Sequence, residues 1–344
     1  MNQPSLQRFQ RGLLRKRRNL TAWLSSAPVR SKEIRLGPLD ETAVSAHLEV
    51  LDSAIEKVED QTLGTCDVCR HPVESGLLEM DYACCVCLDH FSAEERERLE
   101  FELELSTKVQ KALLPQQALE IPGMEVAAFS RPATIVGGDY FDFYRFRDGA
   151  YGLLIGDVAG HGMAASLIMA SLQASLRILV PEYEEPDRVL QRLNQLFTHN
   201  INMTNFVSLF LARFDPRTRQ LTYSNAGHNP PLLVRPQSNG EEPLSWLHPT
   251  GAAIGLVEEA EFGTATVTLE PGDLLLLYTD GVTEAMNPQD EEFGPQRVAE
   301  LLRQDPYQPA QELIRRLRYQ LSEFTGSQPL ADDTTIVAYR MKRQ

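Results

Sequence analysis

The sequence predicts an α+β protein, with antiparallel sheets covered by helices, preceded by a helical segment, a small zinc ribbon and a connector helix. Three observations carry this. From Ile121 onward, short strand-like runs follow one another at hairpin spacing, with few but long helical stretches among them, the mixture expected of antiparallel sheets with helical cover. Ahead of them stand two Cys-x2-Cys pairs in a stretch too small to own a core. Between the two zones lies a heavily charged helical stretch that stops at Pro115.

The chain has 344 residues, which at roughly 150 residues per domain allows two domains plus connections. Its 42% apolar and 24% charged residues are close to globular averages and exclude wholesale disorder. The most apolar long segment, Ser166 to Val180, is interrupted by Gln173 and Arg177 and falls short of the about 20 clean residues that span a bilayer. The N-terminus is basic but lacks a following apolar core, so no secretory signal is read there. The expected location is the cytoplasm, without membrane attachment, where thiols stay reduced and clustered cysteines point to a metal.

The net charge of −15 argues against a protein that coats nucleic acid with its whole surface. The charge is uneven, however. Residues 1–35 hold nine Lys/Arg against the single acid Glu33, a segment of +8 on a remainder of −23. Residues 1–38 thus form a basic N-terminal arm, able to touch RNA, DNA, an acidic protein or its own body, or to remain a solvated tail.

Residues 39–62 follow as an amphipathic helix. Asp40 is placed to cap it, and Val44, Leu48, Leu51, Ile55 and Val58 recur at alternating spacings of four and three, a narrow seam suited to pairing with another helix. Residues 63–91 form the cysteine module. Cys66-x2-Cys69, fourteen residues, then Cys84-x2-Cys87 is the spacing of a four-cysteine zinc site, each knuckle offering two thiolates to one tetrahedral ion. Cys85 is left over because Cys85-x-Cys87 is a poorer chelating step, and His71 and His90 stand nearby as substitutes. Four protein ligands leave no place for a water, so the zinc is structural, and its binding supplies folding energy, roughly 10–16 kcal/mol in comparable peptides.

Residues 92–115 are the connector. Ser92 and Glu95 make a capping box, and Leu99, Leu103, Leu105, Val109 and Leu113 give a loose apolar face within a charged helix. Thereafter strands are expected at 125–130, 141–146, 151–158, 206–214, 220–224, 231–235, 264–269, 273–279 and 334–340. Helices are expected at 163–179, 187–200, 296–303 and 310–324. Leu274–Leu277 is wholly apolar and so reads as a central strand.

Four Asp-centred motifs stand at the ends of these strands. They are Val136-Gly137-Gly138-Asp139-Tyr140-Phe141-Asp142, the Ile155-to-Gly162 run around Asp157, Tyr278-Thr279-Asp280-Gly281, and Ala331-Asp332-Asp333-Thr334-Thr335. One such aspartate is readily a turn or cap residue; four at strand ends are not. Gathered carboxylates repel unless protons or a divalent cation neutralise them. Oxygen-rich, cysteine-free ligation favours two Mn²⁺ or Mg²⁺ ions, a pair suited to phosphoryl displacement by water.

At these residues the sequence resembles the PPM (PP2C-like) metal-dependent phosphatases, in particular the bacterial RsbU/SpoIIE type. The motifs are Leu113-Leu114-Pro115, Gly137-Gly138-Asp139, the Gly156-to-Gly162 loop, Asn225-Ala226-Gly227-His228-Asn229-Pro230 and the two late Asp motifs, in the family's order. The resemblance implies an αββα sandwich over residues 120–344 with metals in a cleft at one end. It implies metal ligation by Asp139, Asp157, the Val158 carbonyl, Asp280 and Asp332, with Asp333 able to share or exchange the last role. His161 is a candidate to protonate the leaving oxygen, or a structural loop histidine; His228 reads as architectural. No match is found for the phosphate-gripping arginine of eukaryotic relatives.

The expected activity is hydrolysis of phosphoserine or phosphothreonine on a protein, with a phosphorylated STAS-type anti-sigma antagonist as the family's usual substrate. A homodimer through the connector helix is also expected, as in this phosphatase branch. All cysteines lie between 66 and 87, so no Cys-x5-Arg thiol phosphatase is possible. Residues 55–91 also resemble the zinc module of the DksA/TraR family, which acts on RNA polymerase. That resemblance raises a second reading, a zinc-ribbon module docking on polymerase or nucleic acid with the phosphatase as an idle or output domain.

Overall fold

The computed structural model describes residues 14, 17, 18, 21, 41–60, 62–66, 68–71, 73, 87–117, 119–160, 162–200, 206–236, 243–326 and 332–343. The chain divides into two compact units, one of Met1–Ser106 with His199–Asn205, the other of Thr107–Thr198 with Phe206–Gln344.

In the first unit, α1 (Glu41–Glu59) carries the expected seam from Leu48 to Val58, while the Val44 side chain lies outside the described residues. Leu51, Ala54, Ile55 and Val58 are buried together with Leu63 of the following turn, and Leu48 packs against them, the three-and-four spacing that puts one helical stripe on a core. The proposed Asp40 cap lies outside the described residues. Of the basic arm, Arg17 pairs with Asp52 of α1. The connector is α2 (Ala93–Leu113). Its capping box forms as the sequence requires: Glu95 N–H donates to Ser92 Oγ at 3.2 Å, and Ser92 N–H donates back to Glu95 Oε2 at 2.8 Å. The apolar face differs from expectation. Leu103 and Leu113 are half-buried, whereas Phe101, Leu105 and Val109 form an exposed stripe at i, i+4, i+8. The step of two residues from Leu103 to Leu105 crosses from one face of the helix to another.

The second unit is an αββα sandwich. One sheet runs β1 (Met124–Arg131), β10 (Thr334–Met341), β9 (Leu274–Tyr278), β6 (Leu232–Val234), β7 (Leu244–Trp246). The other runs β2 (Tyr140–Arg145), β3 (Tyr151–Val158), β4 (Val207–Asp215), β5 (Gln220–Ala226), β8 (Ala265–Thr268). All pairings between these strands are antiparallel. The apolar run read as central does sit centrally, as β9 between β10 and β6.

Strand periodicity explains the layers. Leu275 and Leu277 of β9, with Val337 and Tyr339 of β10, join Leu153, Ile155, Phe210 and Ala212 in the core between the sheets. Leu274, Leu276 and Tyr278, with Ile336 and Ala338, face outward onto α6 (Gly294–Gln304) and α7 (Ala310–Thr325), as a period of two demands. On the other sheet lies α3 (Gly162–Leu179), whose Ala165, Met169, Leu172 and Leu176 are buried. This helix is long and apolar enough by composition to cross a membrane, but that burial is the pattern of a core helix. The remaining helices are α4 (Pro186–Asn200) and the four-residue α5 (Asp280–Thr283). Strand β7 and helix α5 were not expected; three and four residues are too few for a periodic signal.

Candidate active site and cysteine cluster

The antiparallel pairing carries the Asp motifs to one end of the sandwich. Asp139 immediately precedes β2, and β2 pairs with β3 so that Tyr140 lies opposite Gly156, which sets Asp157 beside the start of β2. In the other sheet, Thr279 N–H donates to Thr335 O at 3.1 Å. That contact extends the β9–β10 ladder and brings Asp280, at the start of α5, next to Asp332 and Asp333. Thr279 also joins the sheets: its hydroxyl donates to Asp139 Oδ2 at 2.8 Å and accepts from Thr335 N–H at 3.0 Å.

Asp333 is held differently from its neighbour. Its Oδ1 accepts from Ala133 N–H at 2.8 Å and its Oδ2 from Gly138 N–H at 2.6 Å, so the carboxylate braces the loop between β1 and Asp139. Glycine is required around it. A Cβ on Gly137 would overlap the Asp333 carboxylate, one on Gly281 would overlap the Asp333 carbonyl oxygen, and one on Gly138 would lie 2.9 Å from the Val158 carbonyl oxygen. That last distance places the Val158 carbonyl against the backbone leading into Asp139. Gln110 of α2 grips the same loop from outside: Nε2 donates to Gly137 O at 2.5 Å, and Oε1 accepts from Gly137 N–H at 3.1 Å.

The electrostatics agree with the geometry. Burial, then the Asp333 and Asp280 charges, hold the Asp139 carboxyl well above the usual carboxylate range, against the hydrogen bond from Thr279. Burial, then Asp139, Asp280, Asp332 and Asp333, push Asp157 the same way. Asp139 Oδ1 is buried and has no hydrogen-bond partner among the described residues, a costly state for a carboxylate oxygen unless a cation takes it. An all-oxygen donor set with an orphaned carboxylate oxygen fits hard divalent ions such as Mg²⁺ or Mn²⁺.

The structure therefore brings together Asp139, Asp157, Val158, Asp280, Asp332 and Asp333; His161 lies outside the described residues. Asp142, in the same motif as Asp139, is turned to the core, where it accepts from Tyr140 Oη at 2.6 Å and Arg177 Nη2 at 2.9 Å. His228 is architectural, as expected: it is buried, its Nδ1 meets Ser208 Oγ at 2.8 Å and its N–H donates to Asn225 Oδ1 at 2.8 Å. Burial pushes its imidazole down to about 4. Thr279 and Gln110 are site residues that the sequence reading does not single out. Gln110 stands seven residues after Leu103 and three before Leu113, and a polar side chain on a half-buried helical face is the signal that could find it.

The first cysteine knuckle is formed. Cys66 N–H donates to His71 O at 2.8 Å, and Arg70 N–H, at a positive φ of 62°, donates to Cys66 O at 2.9 Å. Cys66, Cys69 and Cys87 converge with His90, all four ligand atoms lying within 4.8 Å of one another. Cys84 and Cys85 lie outside the described residues.

A two-sheet sandwich with this carboxylate cluster at one end defines a PP2C-type phosphatase domain. The SiaA-PP2C domain of Pseudomonas aeruginosa superposes with a TM-score of 0.63 at 25% identity, covering 72% of this chain and 99% of that one. Residues 147–342 match the family described as Stage II sporulation protein E (SpoIIE), and the chain belongs to that family. It is similar to phosphoserine phosphatase RsbU of Bacillus subtilis (strain 168), 27% identical over 247 residues, 72% of each chain. It is equally similar, at 27% over 245 residues, to phosphoserine phosphatase RsbP of the same organism, covering 70% of this chain and 58% of RsbP.

Proposed function

We propose that this chain is a metal-dependent protein serine/threonine phosphatase acting on a phosphoprotein in a partner-switching pathway. The observation that carries the reading is the convergence of five carboxylates, among them Asp139, whose Oδ1 is buried without a partner among the described residues. Asp139, Asp157, Asp280 and Asp332, with the Val158 carbonyl, would hold two Mn²⁺ or Mg²⁺ ions, and Asp333 serves as the brace because backbone N–H groups already occupy both its oxygens. When bound, such ions supply Lewis-acid polarisation of a phosphoryl group and a water nucleophile at neutral pH.

The chain's own residues do the positioning. Thr279 fixes the Asp139 carboxylate through Oδ2, leaving Oδ1 directed into the cluster. Gln110 and Asp333 hold the Gly137-Gly138 backbone from two sides. His161, four residues after Asp157 in the sequence, is the candidate proton donor to the leaving oxygen. With the resemblance to RsbU goes a proposed phosphorylated STAS-type antagonist as substrate; a homodimer through α2 and a cytoplasmic setting are proposed beside it. The cysteine cluster would hold one structural Zn²⁺ through Cys66, Cys69 and Cys87 and one further ligand. Its donors are soft, in contrast to the carboxylate site.

The test is hydrolysis of a phosphoserine protein substrate by the purified full-length chain across Mn²⁺ and Mg²⁺ titrations. Asp157→Asn and Asp280→Asn should lose turnover while keeping the wild-type circular dichroism. Undiminished hydrolysis by either variant, or in excess chelator, would refute the assignment.

A further inference from the structure

We infer that the N-terminal metal site is a Cys₃His zinc site completed by His90, with Cys84 outside the ligand set. This deepens the structural-zinc reading above and rests on it.

The geometry starts from a local turn. Cys87 is followed by a 3₁₀ turn, Leu88–His90, in which His90 N–H donates to Cys87 O at 3.1 Å. In a 3₁₀ turn, side chains three residues apart eclipse one another, so Cys87 and His90 project to the same side and form a second chelating step. The spacing repeats that of the first knuckle: Cys66-Asp67-Val68-Cys69 and Cys87-Leu88-Asp89-His90 each leave two residues between ligands.

The two steps meet. Cys69 Sγ and Cys87 Sγ are 3.5 Å apart, too far for a disulfide and close to the edge of a tetrahedron built on zinc–ligand bonds of about 2.1–2.3 Å, roughly 3.4–3.8 Å. Cys66, Cys69, Cys87 and His90 offer four donors within 4.8 Å of one another, the number a closed site needs. Three thiolates select a soft or borderline ion, and among such ions Zn²⁺ takes tetrahedral S₃N ligation without redox chemistry.

Using His90 has a structural consequence. His90 lies two residues before Ser92, whose hydroxyl and backbone N–H both bond to Glu95 in the cap of α2. The ion would then be fixed directly to the start of the connector helix.

The experiment uses the full-length chain and four variants, Cys66→Ser, Cys84→Ser, His90→Ala and His90→Cys. Each is assayed for zinc per chain, for zinc affinity by competition with a chromophoric chelator, and for the Co²⁺-substituted absorption spectrum. The expected wild type holds one zinc, with a thiolate-to-Co²⁺ charge-transfer band of three-thiolate intensity. Cys84→Ser leaves zinc content, affinity and spectrum unchanged. His90→Ala weakens zinc by at least about tenfold with the charge-transfer intensity per cobalt retained. His90→Cys restores tight binding and raises that intensity by about one third, as a fourth thiolate joins. Cys66→Ser loses the ion.

The inference is overturned if Cys84→Ser weakens zinc and removes about a quarter of a four-thiolate band while His90→Ala changes neither, which leaves the structural zinc standing with a different ligand. A wild-type chain that holds no zinc overturns both statements.

Discussion

Gly281→Ala tests whether the position of the Asp332–Asp333 backbone governs activity. Gly281 lies in α5 at an ordinary helical φ, so alanine is not disfavoured by backbone conformation and would gain about 1 kcal/mol of helix propensity. What opposes it is space. Its Cβ would overlap the carbonyl oxygen of Asp333 and lie 2.9 Å from that carbonyl carbon and 3.3 Å from the carbonyl carbon of Asp332. No flexible side chain can give way, because the obstacle is backbone joined to β10. Relief therefore needs a relative shift on the order of 1 Å between Asp280 and Asp332, and a misplacement of that size costs about 100-fold in rate, equivalent to about 2.7 kcal/mol of barrier.

Overpacking costs about 1–3 kcal/mol of stability, part of it offset by the helix propensity. Gly123→Ala is the control: its φ is +76° and nothing lies within 4 Å of the added Cβ, so it costs about 1–2 kcal/mol of stability through backbone strain alone. The assay is kcat/KM on a phosphoserine substrate at saturating Mn²⁺, with thermal midpoints measured in parallel. Both variants should be destabilised, and only Gly281→Ala should lose activity. A folded Gly281→Ala protein with kcat/KM within about threefold of wild type would refute the reasoning that backbone placement at this point matters.

Gln110→Ala removes two hydrogen bonds to Gly137; it should cost about 1–3 kcal/mol of stability and raise the Mn²⁺ concentration needed for half-maximal turnover. Gln110→Glu, which sets a carboxylate oxygen against the Gly137 carbonyl, should be worse in the same titration. Because the folded His228 imidazole titrates near 4, below the ordinary 6.5, its contribution to stability is fully present above pH 6.5 and is lost as pH falls towards 4. The loss amounts to at most about 3 kcal/mol, and urea midpoints should show that slope in the wild type and not in His228→Gln. Leu103→Asp combined with Val109→Asp should alter both association state and turnover. A monomeric wild type by light scattering, together with wild-type rates for the double variant, would exclude control through α2.

The architecture is legible in the sequence wherever periodicity has room to act. Leu274–Tyr278 and Thr334–Met341 alternate between two cores, and their apolar runs stand out from the flanking sequence. Asp139, Asp157, Asp280 and Asp332 are legible for another reason: each stands at a strand end beside glycine or a second polar residue, and antiparallel pairing must bring such ends together. What the chain does not reveal along its length is the division of labour. Asp332 and Asp333 are adjacent and chemically identical, and they differ through long-range partners, Ala133 and Gly138 some 200 and 195 residues away. The Thr279 and Gln110 contacts are long-range in the same way. The exposed face of α2 resists reading because Leu99, Leu103, Leu105, Val109 and Leu113 spread over nearly half the circumference of a charged helix, leaving composition to decide what only packing can.

The carboxylates are not equally well fixed, and the difference indicates where control of the site would act. Asp157 lies within β3, paired to β4 opposite Ser208, and Asp280 begins α5 directly after β9. Moving either one strains a central ladder. Asp139 instead ends the irregular stretch from 132 to 139, between β1 and β2. That stretch has no ladder of its own, and four separate devices set its course: the Asp333 carboxylate, the Gln110 amide, the Thr107 hydroxyl donating to Ile135 O, and the close approach of Gly138 to the Val158 carbonyl. Of these, Val158 belongs to β3 and Asp333 directly precedes β10, whereas Gln110 and Thr107 come from a helix that continues beyond the phosphatase unit. A rotation of α2 that withdrew Gln110 would leave the Gly137 N–H and carbonyl without their partners and loosen the stretch that positions Asp139. It would do so without breaking a strand pair. Elements with exposed backbone hydrogen bonds and few buried contacts have the lowest local opening energies, so an input at α2 would act on the site through this stretch and Asp139.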